Sequence, residues 1–193
     1  MIAPQAFKEI GCEVIELFSE VDGNFPNHHP DPGNPMNLED LQNKIKQSNA
    51  DIGIALDGDA DRVGIVDNSG KIIYPDIQMI LYADQVLMKN KNATIIFDVK
   101  CSNLLKNFIE ENSGIAYMSK TGHSYIKKNL FEKNALLAGE MSGHIFFNDR
   151  WFGFDDAIYA GSRMLEILSE KEESSSVIFS ELPQNLSTPE INI

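Results

Sequence analysis

Short apolar runs and longer amphipathic segments follow one another along this chain. The runs in "DIGIAL" and "ATIIFDVK" are bounded by polar or turn-forming residues, which is typical of buried β-strands. The longer segments repeat apolar residues every three or four positions, which predicts helices with one buried face. Strands that alternate with helices indicate an α/β protein, in which helices cover the sheets and the crossovers are right-handed.

The first block of this pattern covers residues 1–73. We expect, in chain order, a helix that ends at Gly11, a strand over 12–18, a long loop rich in proline over 19–36, a helix over 37–50, a strand over 51–56 and a hairpin over 62–73. Asn37 is a candidate N-cap for the second helix. The run 51–56 is apolar on both faces, which predicts a central strand of a parallel sheet. Since no strand precedes the first helix, we expect the first strand of this sheet to lie outside these residues.

The second block covers residues 74–193. The pattern predicts helices and strands in alternation over 75–90, 93–100, 102–114, 115–120, 122–134, 135–147 and 155–171, with the strand 135–147 running into a loop. The serine run 174–176 is predicted to be a loop. The predicted fold is therefore two consecutive, mainly parallel α/β domains that divide near residue 73.

Composition and charge narrow the classes of partner. The chain has 193 residues, 42% of them hydrophobic, and a net charge of −13. Such acidity disfavours nucleic-acid binding through phosphate contacts, and an anionic membrane surface would repel it. No apolar run approaches the ~18 residues of a membrane span. The start has no signal-peptide pattern, and Cys12 and Cys101 lie far apart, so we predict a cytoplasmic protein without nucleic-acid or membrane partners.

An acidic cluster, "DGDADRVG", follows the strand 51–56. Asp57, Asp59 and Asp61 occupy every second position, and Arg62 comes directly after them. Carboxylates this close repel one another unless a positive charge lies between them. The small residues that separate them allow the chain to curl, so all three can converge on one point. An oxygen-only set suits Mg²⁺ or Ca²⁺, and Arg62 could balance the remaining charge and hold an anionic ligand.

Other interpretations of this cluster are a solvated acidic turn and a calcium-binding structural domain. An EF-hand loop is disfavoured, because it needs glycine at its sixth position and glutamate at its twelfth, where this chain has Arg62 and Asn68. A phosphatase motif with a nucleophilic aspartate is disfavoured too, because Arg62 follows Asp61 directly.

Three further candidates lie at predicted carboxyl ends of strands, where open α/β sheets bind ligands. Gly122 allows a close approach of the backbone to a ligand, and His123 can form hydrogen bonds to it. Lys100, in "FDVKCS", carries a point charge that suits phosphate. Each has an ordinary alternative, because a histidine at such a junction can be structural and a lysine can simply be solvated.

The segment "GEMSGHIFF" offers a carboxylate, a hydroxyl and an imidazole at alternating positions. Glu140, Ser142 and His144 can therefore share one side of the chain and bind the hydroxyls of a polyol. The ordinary alternative is a polar strand end.

The strings "FPNHHPDPGNP", "LDGDADRVG", "FDVKCS", "KTGHSYIKK", "GEMSGHIFF" and "RWFGFDDAIYA" resemble, in this order, the α-D-phosphohexomutase family and most closely its bacterial phosphomannomutase/phosphoglucomutase branch. The resemblance implies that Asp57, Asp59 and Asp61 bind Mg²⁺ and that Arg62 is a catalytic group on the phosphate side. It implies substrate contacts from one set of residues: Arg62, Lys100, Gly122, His123, Glu140, Met141, Ser142, Gly143 and His144. The implied ligands are the 1- and 6-phosphates of mannose and glucose and the 1,6-bisphosphate.

Members of that family have four domains, with a phosphoserine in a Ser-His-Asn-Pro loop of the first and a phosphate-binding loop in the fourth. Neither string occurs here, so residues 1–73 resemble an N-terminally truncated domain II and residues 74–193 resemble domain III. The implied reaction is reversible phosphoryl transfer between C1 and C6 of a hexose, through phosphoserine and a bisphosphate. We expect this fragment to be inactive without domains I and IV. The alternative is a non-catalytic module that binds a divalent ion or a phosphosugar.

Overall fold

A computed structural model describes residues 2–184 of the chain. Its strands are β1 (Ile52–Leu56), β2 (Val63–Asp67), β3 (Ile72–Ile73), β4 (Thr94–Asp98), β5 (Ile115–Ser119), β6 (Leu137–Gly139) and β7 (Ile145–Phe147). Its α-helices are α1 (Ala3–Glu9), α2 (Glu39–Ser48), α3 (Pro75–Lys89), α4 (Asn103–Glu111), α5 (His123–Glu132), α6 (Ala157–Ser169) and α7 (Ser175–Glu181), and a short 3₁₀ helix covers Pro35–Leu38. None of the helices in this described part combines the length and the apolar character that a bilayer-spanning helix needs.

The first sheet has the strand order β1-β2-β3, and both of its pairings are antiparallel. The sequence predicted a mainly parallel sheet here with 51–56 as a central strand, and this detail was wrong for the described residues. The reason is the connection, since β1 and β2 are joined only by the turn 57–62. A parallel pair needs a crossover of a dozen or more residues, which this turn cannot supply.

Three local predictions in and around these elements were also wrong. Residues 12–18 form no β-ladder with any residue that the structure describes; their alternating apolar residues favour an extended chain but do not supply a partner strand. Asn37 is not the N-cap of α2, since Leu38 holds that position. Asn37 lies within the preceding 3₁₀ helix, which Asn34 caps by accepting a hydrogen bond from the Met36 backbone N–H at 3.1 Å. The serine run 174–176 leads into α7 and is not a loop, since Ser174 is the N-cap position of that helix.

The second sheet has the order β5-β4-β6-β7, with β4 parallel to both β5 and β6 and with β7 antiparallel to β6. It agrees with the mainly parallel sheet that the sequence predicted. The predicted strand 135–147 is in fact two short strands joined by the turn 140–144. The carboxyl ends of β4, β5 and β6 lie at one edge, so the segments that follow them come close together.

Helix α6 packs against both sheets, contacting β1 and β2 of the first and β7 of the second. One cluster of buried apolar side chains accordingly runs from Ile65 on β2 through Met164 on α6 to Phe97 on β4. The buried Tyr82 hydroxyl on α3 donates a hydrogen bond to the Ala160 carbonyl on α6 at 3.0 Å. The two blocks therefore share a core, and the division near residue 73, between β3 and α3, stays a prediction.

Candidate functional site

The acidic cluster forms the turn between β1 and β2. Ala60 has a left-handed backbone conformation with φ of 61°, and this bend curls the chain at the end of β1. One carboxylate oxygen from each of Asp57, Asp59 and Asp61 lies within 4.8 Å of those of the others. This convergence is what the sequence predicted. An all-oxygen, triply anionic donor set fits a hard divalent cation such as Mg²⁺.

Arg62 neutralises one of these carboxylates within the turn itself. Its Nε donates to Asp57 Oδ2 at 2.7 Å, while Asp57 Oδ1 accepts the backbone N–H groups of Asp61 and Arg62 at 3.0 and 3.1 Å. Burial opposes the charged form of Asp57, but the hydrogen bonds from Arg62 outweigh it and hold the pKa of Asp57 below its ordinary value. Arg62 also reaches the long loop, where its Nη1 donates to Asp31 Oδ1 at 2.9 Å.

Asp61 has the opposite electrostatic environment. Burial, followed by the neighbouring Asp57, raises the pKa of Asp61 to about 6. Its cationic neighbours lie farther from it than Arg62 lies from Asp57, with Arg62 Nε at 3.9 Å and His144 Nε2 at 3.4 Å from Asp61 Oδ1. The turn therefore contains more negative charge than its own arginine neutralises, as expected of a site that a cation completes.

The turn 140–144 lies directly against the acidic turn. It is closed by the Glu140 N–H, which donates to the His144 carbonyl at 3.0 Å, and by the Gly143 N–H, which donates to the Glu140 carbonyl at 3.0 Å. The Val63 N–H at the start of β2 donates to the Gly143 carbonyl at 3.1 Å, and Arg62 and His144 form an isolated antiparallel bridge. The two turns thus belong to one continuous site.

The side chains of this second turn converge on the imidazole of His144. Its Nδ1 lies 2.9 Å from Ser142 Oγ and 3.2 Å from Glu140 Oε2. The other carboxylate oxygen of Glu140 accepts the Gly122 backbone N–H, which ties the turn to the start of α5. Burial opposes protonation of His144, but the bond to Glu140 and the nearby carboxylates raise its pKa, and the same contact lowers the pKa of Glu140.

The remaining predicted residues lie at the same edge of the second sheet. The His123 ring stacks on that of His144 with ring centroids 5.6 Å apart, and His123 is the first residue of α5. Lys100 is exposed in the turn after β4. Met141 is half-buried, and its backbone N–H donates to Asp98 Oδ1 at 3.3 Å. The functional roles of all these residues stay predictions.

Three acidic residues of the site were missed by the sequence analysis. Asp31 binds Arg62 from the long loop, and Asp98, wholly buried at the end of β4, also accepts the Thr121 hydroxyl at 3.0 Å. Asp155 lies 3.7 Å from the His123 ring, measured from its Oδ2 to Nδ1. All three occur in strings that carry the family resemblance, but nothing in their local spacing marks them as part of a site.

Comparisons with known proteins identify the class. A family model described as phosphoglucomutase/phosphomannomutase, alpha/beta/alpha domain III, matches residues 74–186, and the model for domain II of the same proteins matches residues 1–70. The chain therefore belongs to the phosphoglucomutase/phosphomannomutase family, which confirms both the resemblance and the α/β fold class.

Similar proteins include the phosphomannomutase/phosphoglucomutase of Pseudomonas putida, 59% identical over 100% of this chain and 42% of the relative, and the phosphomannomutase of Methanocaldococcus jannaschii, 36% identical over 89% of this chain and 38% of the relative. A crystal structure of a phosphoglucomutase/phosphomannomutase family protein from Burkholderia thailandensis superposes with a TM-score of 0.95 at 53% identity, covering 97% of this chain and 41% of that one. The chain thus spans about two fifths of the length of these relatives.

Proposed function

We propose that this chain supplies the cation-binding and sugar-binding parts of a phosphohexomutase, an isomerase that reversibly moves a phosphoryl group between C1 and C6 of mannose or glucose. One observation carries the proposal for a chain of this family. The acidic turn and the turn 140–144 are joined by the Val63–Gly143 hydrogen bond and by the approach of His144 to Asp61. A cation and a sugar bound to these two turns would be neighbours.

Asp57, Asp59 and Asp61 would hold Mg²⁺. When bound, the ion neutralises negative charge on the phosphoryl group in transfer. Arg62 uses Nε and one Nη1 proton on Asp57 and Asp31, so its other N–H groups are left to donate to phosphate oxygens. Because both carboxylates hold the guanidinium, it is positioned before the substrate arrives, which lowers the cost of ordering it.

The turn 140–144 would bind the sugar hydroxyls. Glu140 accepts hydrogen bonds, while Ser142 and His144 can donate or accept, so this set can bind a hydroxyl in either orientation. Lys100, Gly122 and His123, at neighbouring strand ends, would bind the phosphate that is not reacting. Such a site positions its substrate and supplies charge, which is what phosphoryl transfer requires.

The phosphoryl carrier would come from outside these 193 residues. The Ser-His-Asn-Pro string of the family is not among them, and Ser124 and Ser142 lie in other motifs. We expect the complete reaction to pass through a phosphoserine and a hexose 1,6-bisphosphate, and we expect these residues alone to bind substrate without turning it over. Both cysteines are free, as in a reducing compartment, which supports a cytoplasmic enzyme.

The test combines calorimetry with phosphorus NMR on the 193-residue chain. Glucose 1-phosphate and mannose 1-phosphate should bind with Mg²⁺ present and much more weakly in EDTA, and no 6-phosphate should form. Asp59→Asn should weaken the Mg²⁺-dependent binding, while Asp40→Asn, at an exposed position of α2, should leave it unchanged. Lack of any hexose-phosphate binding would overturn the proposal, and robust turnover would overturn the need for an outside carrier.

A non-catalytic module that binds phosphosugars is the second candidate, because the acidic turn and the turn 140–144 could bind a cation and a sugar without a phosphoryl carrier. Binding without turnover fits both candidates. The flanking coding sequence separates them, because a Ser-His-Asn-Pro string upstream in the same frame indicates the enzyme. A calcium-binding structural domain would instead prefer Ca²⁺ and would not bind hexose phosphates.

A further inference from the structure

We propose that Asp61, His144 and Asp155 form a second cation site, which takes a transition metal such as Zn²⁺ and lies beside the oxygen-only set. One ligand atom from each of these residues lies within 4.8 Å of those of the other two. The site is independent of the proposed mutase function, because it needs neither a sugar nor a phosphoryl carrier.

The orientation of His144 is the first argument. Its Nδ1 side is occupied by Ser142 Oγ at 2.9 Å and by Glu140 Oε2 at 3.2 Å, and the carboxylate of Glu140 is almost wholly buried. When Nδ1–H is donated to Glu140, the lone pair is on Nε2. A histidine that binds metal nearly always donates its other ring N–H to a carboxylate, a carbonyl or water, which fixes the ring and raises its basicity. Glu140 is such an outer partner.

The surroundings of Nε2 are the second argument. Nε2 lies 3.4 Å from Asp61 Oδ1, which is longer than a good N–H···O hydrogen bond, and Asp155 completes the group. Nε2 and the two carboxylates therefore face one point, and a metal ion bound there would take the place of a proton on Nε2. The three side chains are 16%, 32% and 14% exposed for His144, Asp61 and Asp155, so an ion can enter and keep a water ligand.

The backbone holds Asp155 firmly. Asp155 forms an isolated antiparallel bridge with Phe146 on β7, and the next residue, Asp156, caps α6 by accepting the Tyr159 N–H at 2.9 Å. The third ligand is therefore fixed by a strand on one side and a helix start on the other. A site on such elements is ordered before the metal arrives.

The donor set decides which metal each site takes. One imidazole with two carboxylates suits zinc and its neighbours, whereas Mg²⁺ prefers oxygen alone. Asp61 belongs to both sets, so zinc here would withdraw a ligand from the Mg²⁺ site and take His144 from the sugar. This consequence, unlike the site itself, rests on the proposed function, and it makes zinc an inhibitor of Mg²⁺-dependent hexose-phosphate binding.

The experiment titrates the 193-residue chain with metal alone. Zn²⁺ is followed by calorimetry, and Co²⁺, which fills zinc sites, is followed by its visible absorption. Asp155→Asn should weaken zinc binding by about tenfold or more and remove the cobalt spectrum, since it removes a ligand unique to the mixed site. Asp59→Asn, which removes a ligand unique to the oxygen set, should leave both intact. Glu140→Gln should weaken zinc binding by about 10- to 100-fold through the outer partner.

The proposal is overturned if the wild-type chain binds no zinc, or if Asp59→Asn abolishes zinc binding while Asp155→Asn does not. Circular dichroism checks that each variant folds. If Asp155→Asn does not fold, His144→Gln is used in its place. In a final titration, zinc should lower the affinity of the Mg²⁺-saturated chain for glucose 1-phosphate, and Asp155→Asn should remove this effect. If the chain binds zinc but no hexose phosphate, the zinc site is supported and only the proposed mutase function is overturned.

Discussion

The turns 57–62 and 140–144 have the same connectivity but hold their residues in place differently. Each joins two neighbouring antiparallel strands, and their last residues, Arg62 and His144, pair across the gap between the sheets. The first turn is held by the buried Asp57 carboxylate, which accepts hydrogen bonds from Arg62 Nε and from the backbone N–H groups of Asp61 and Arg62. The second is held by backbone contacts and by one buried carboxylate, that of Glu140. We therefore expect the loss of a charged side chain to disrupt the first turn and added side-chain bulk to disrupt the second.

The largest expected effect is that of Asp57→Ala. The change removes an almost wholly buried carboxylate that accepts three hydrogen bonds and leaves the Arg62 guanidinium without its closest partner. We expect the free energy of unfolding to fall by about 3 kcal/mol, as for other broken ion pairs with a buried partner. Urea denaturation of the wild-type chain and the variant measures this difference in the free energy of unfolding.

Asp59→Ala is the matched control for that change. Asp59 is exposed, so we expect its loss to alter stability by no more than about 0.5 kcal/mol while still weakening Mg²⁺ binding. Equal destabilisation by the two changes would contradict the view that Asp57 is the structural member of the cluster.

The second effect comes from bulk at Gly143. This residue has φ of 100°, and a Cβ there would lie 2.9 Å from the Val63 carbonyl oxygen. Gly143→Ala should therefore cost about 2 kcal/mol through backbone strain and a contact with main chain that cannot move aside. Gly58→Ala in the other turn should cost far less, because a Cβ there meets only Pro30 Cγ at 3.5 Å. Thermal melting of both variants compares them, and similar losses would show that steric fit does not distinguish the two turns.

The third effect is a pH dependence. The pKa of Asp61 is raised from 3.8 to about 6, so between these values the folded chain binds more protons than the unfolded one. Ionisation of Asp61 therefore lowers stability as pH rises through this window, and Mg²⁺ affinity should increase over the same range because the ion replaces the proton. NMR of the carboxyl carbons should give a higher titration midpoint for Asp61 than for Asp57. The reverse order would contradict the different electrostatic environments of these two carboxylates.

The smallest effect is that of Ser142→Ala. The Ser142 hydroxyl makes one part-buried hydrogen bond to His144, so its loss should cost about 0.5–1.5 kcal/mol. Ser180→Ala, at an exposed position of α7, is the control and should be near neutral. Urea denaturation of both decides whether the hydroxyl helps to hold the imidazole. If the two variants are equally stable, the Ser142 hydroxyl does not help to hold the ring.

Local pattern was sufficient to locate many of the helices and strands. The helix starting at Pro75 and the strand 94–98 appear where apolar periodicity predicts them. The same pattern could not give the direction of β1, because parallel and antiparallel strands can carry the same apolar run. Nor could it tell that residues 12–18 lack a ladder, since pairing depends on a second strand that the run itself does not specify.

The convergence of the site was predictable in part, because three of the proposed segments follow strands of one parallel sheet. Asp57, Asp59 and Asp61 were found through their spacing alone. Asp31 could not be found in this way, since it reaches Arg62 across 31 positions of chain. Asp155 joins His144 only because β7 and the segment before α6 pair across the structure.

The central claim is that the two turns form one site around a cation, and amide NMR of the chain during a Mg²⁺ titration tests it most directly. The account predicts that the amide signals of Asp61 and Arg62 shift together with those of Gly143 and His144, along one binding curve. It is contradicted if the signals of the acidic turn do not move, or if the two turns follow separate curves.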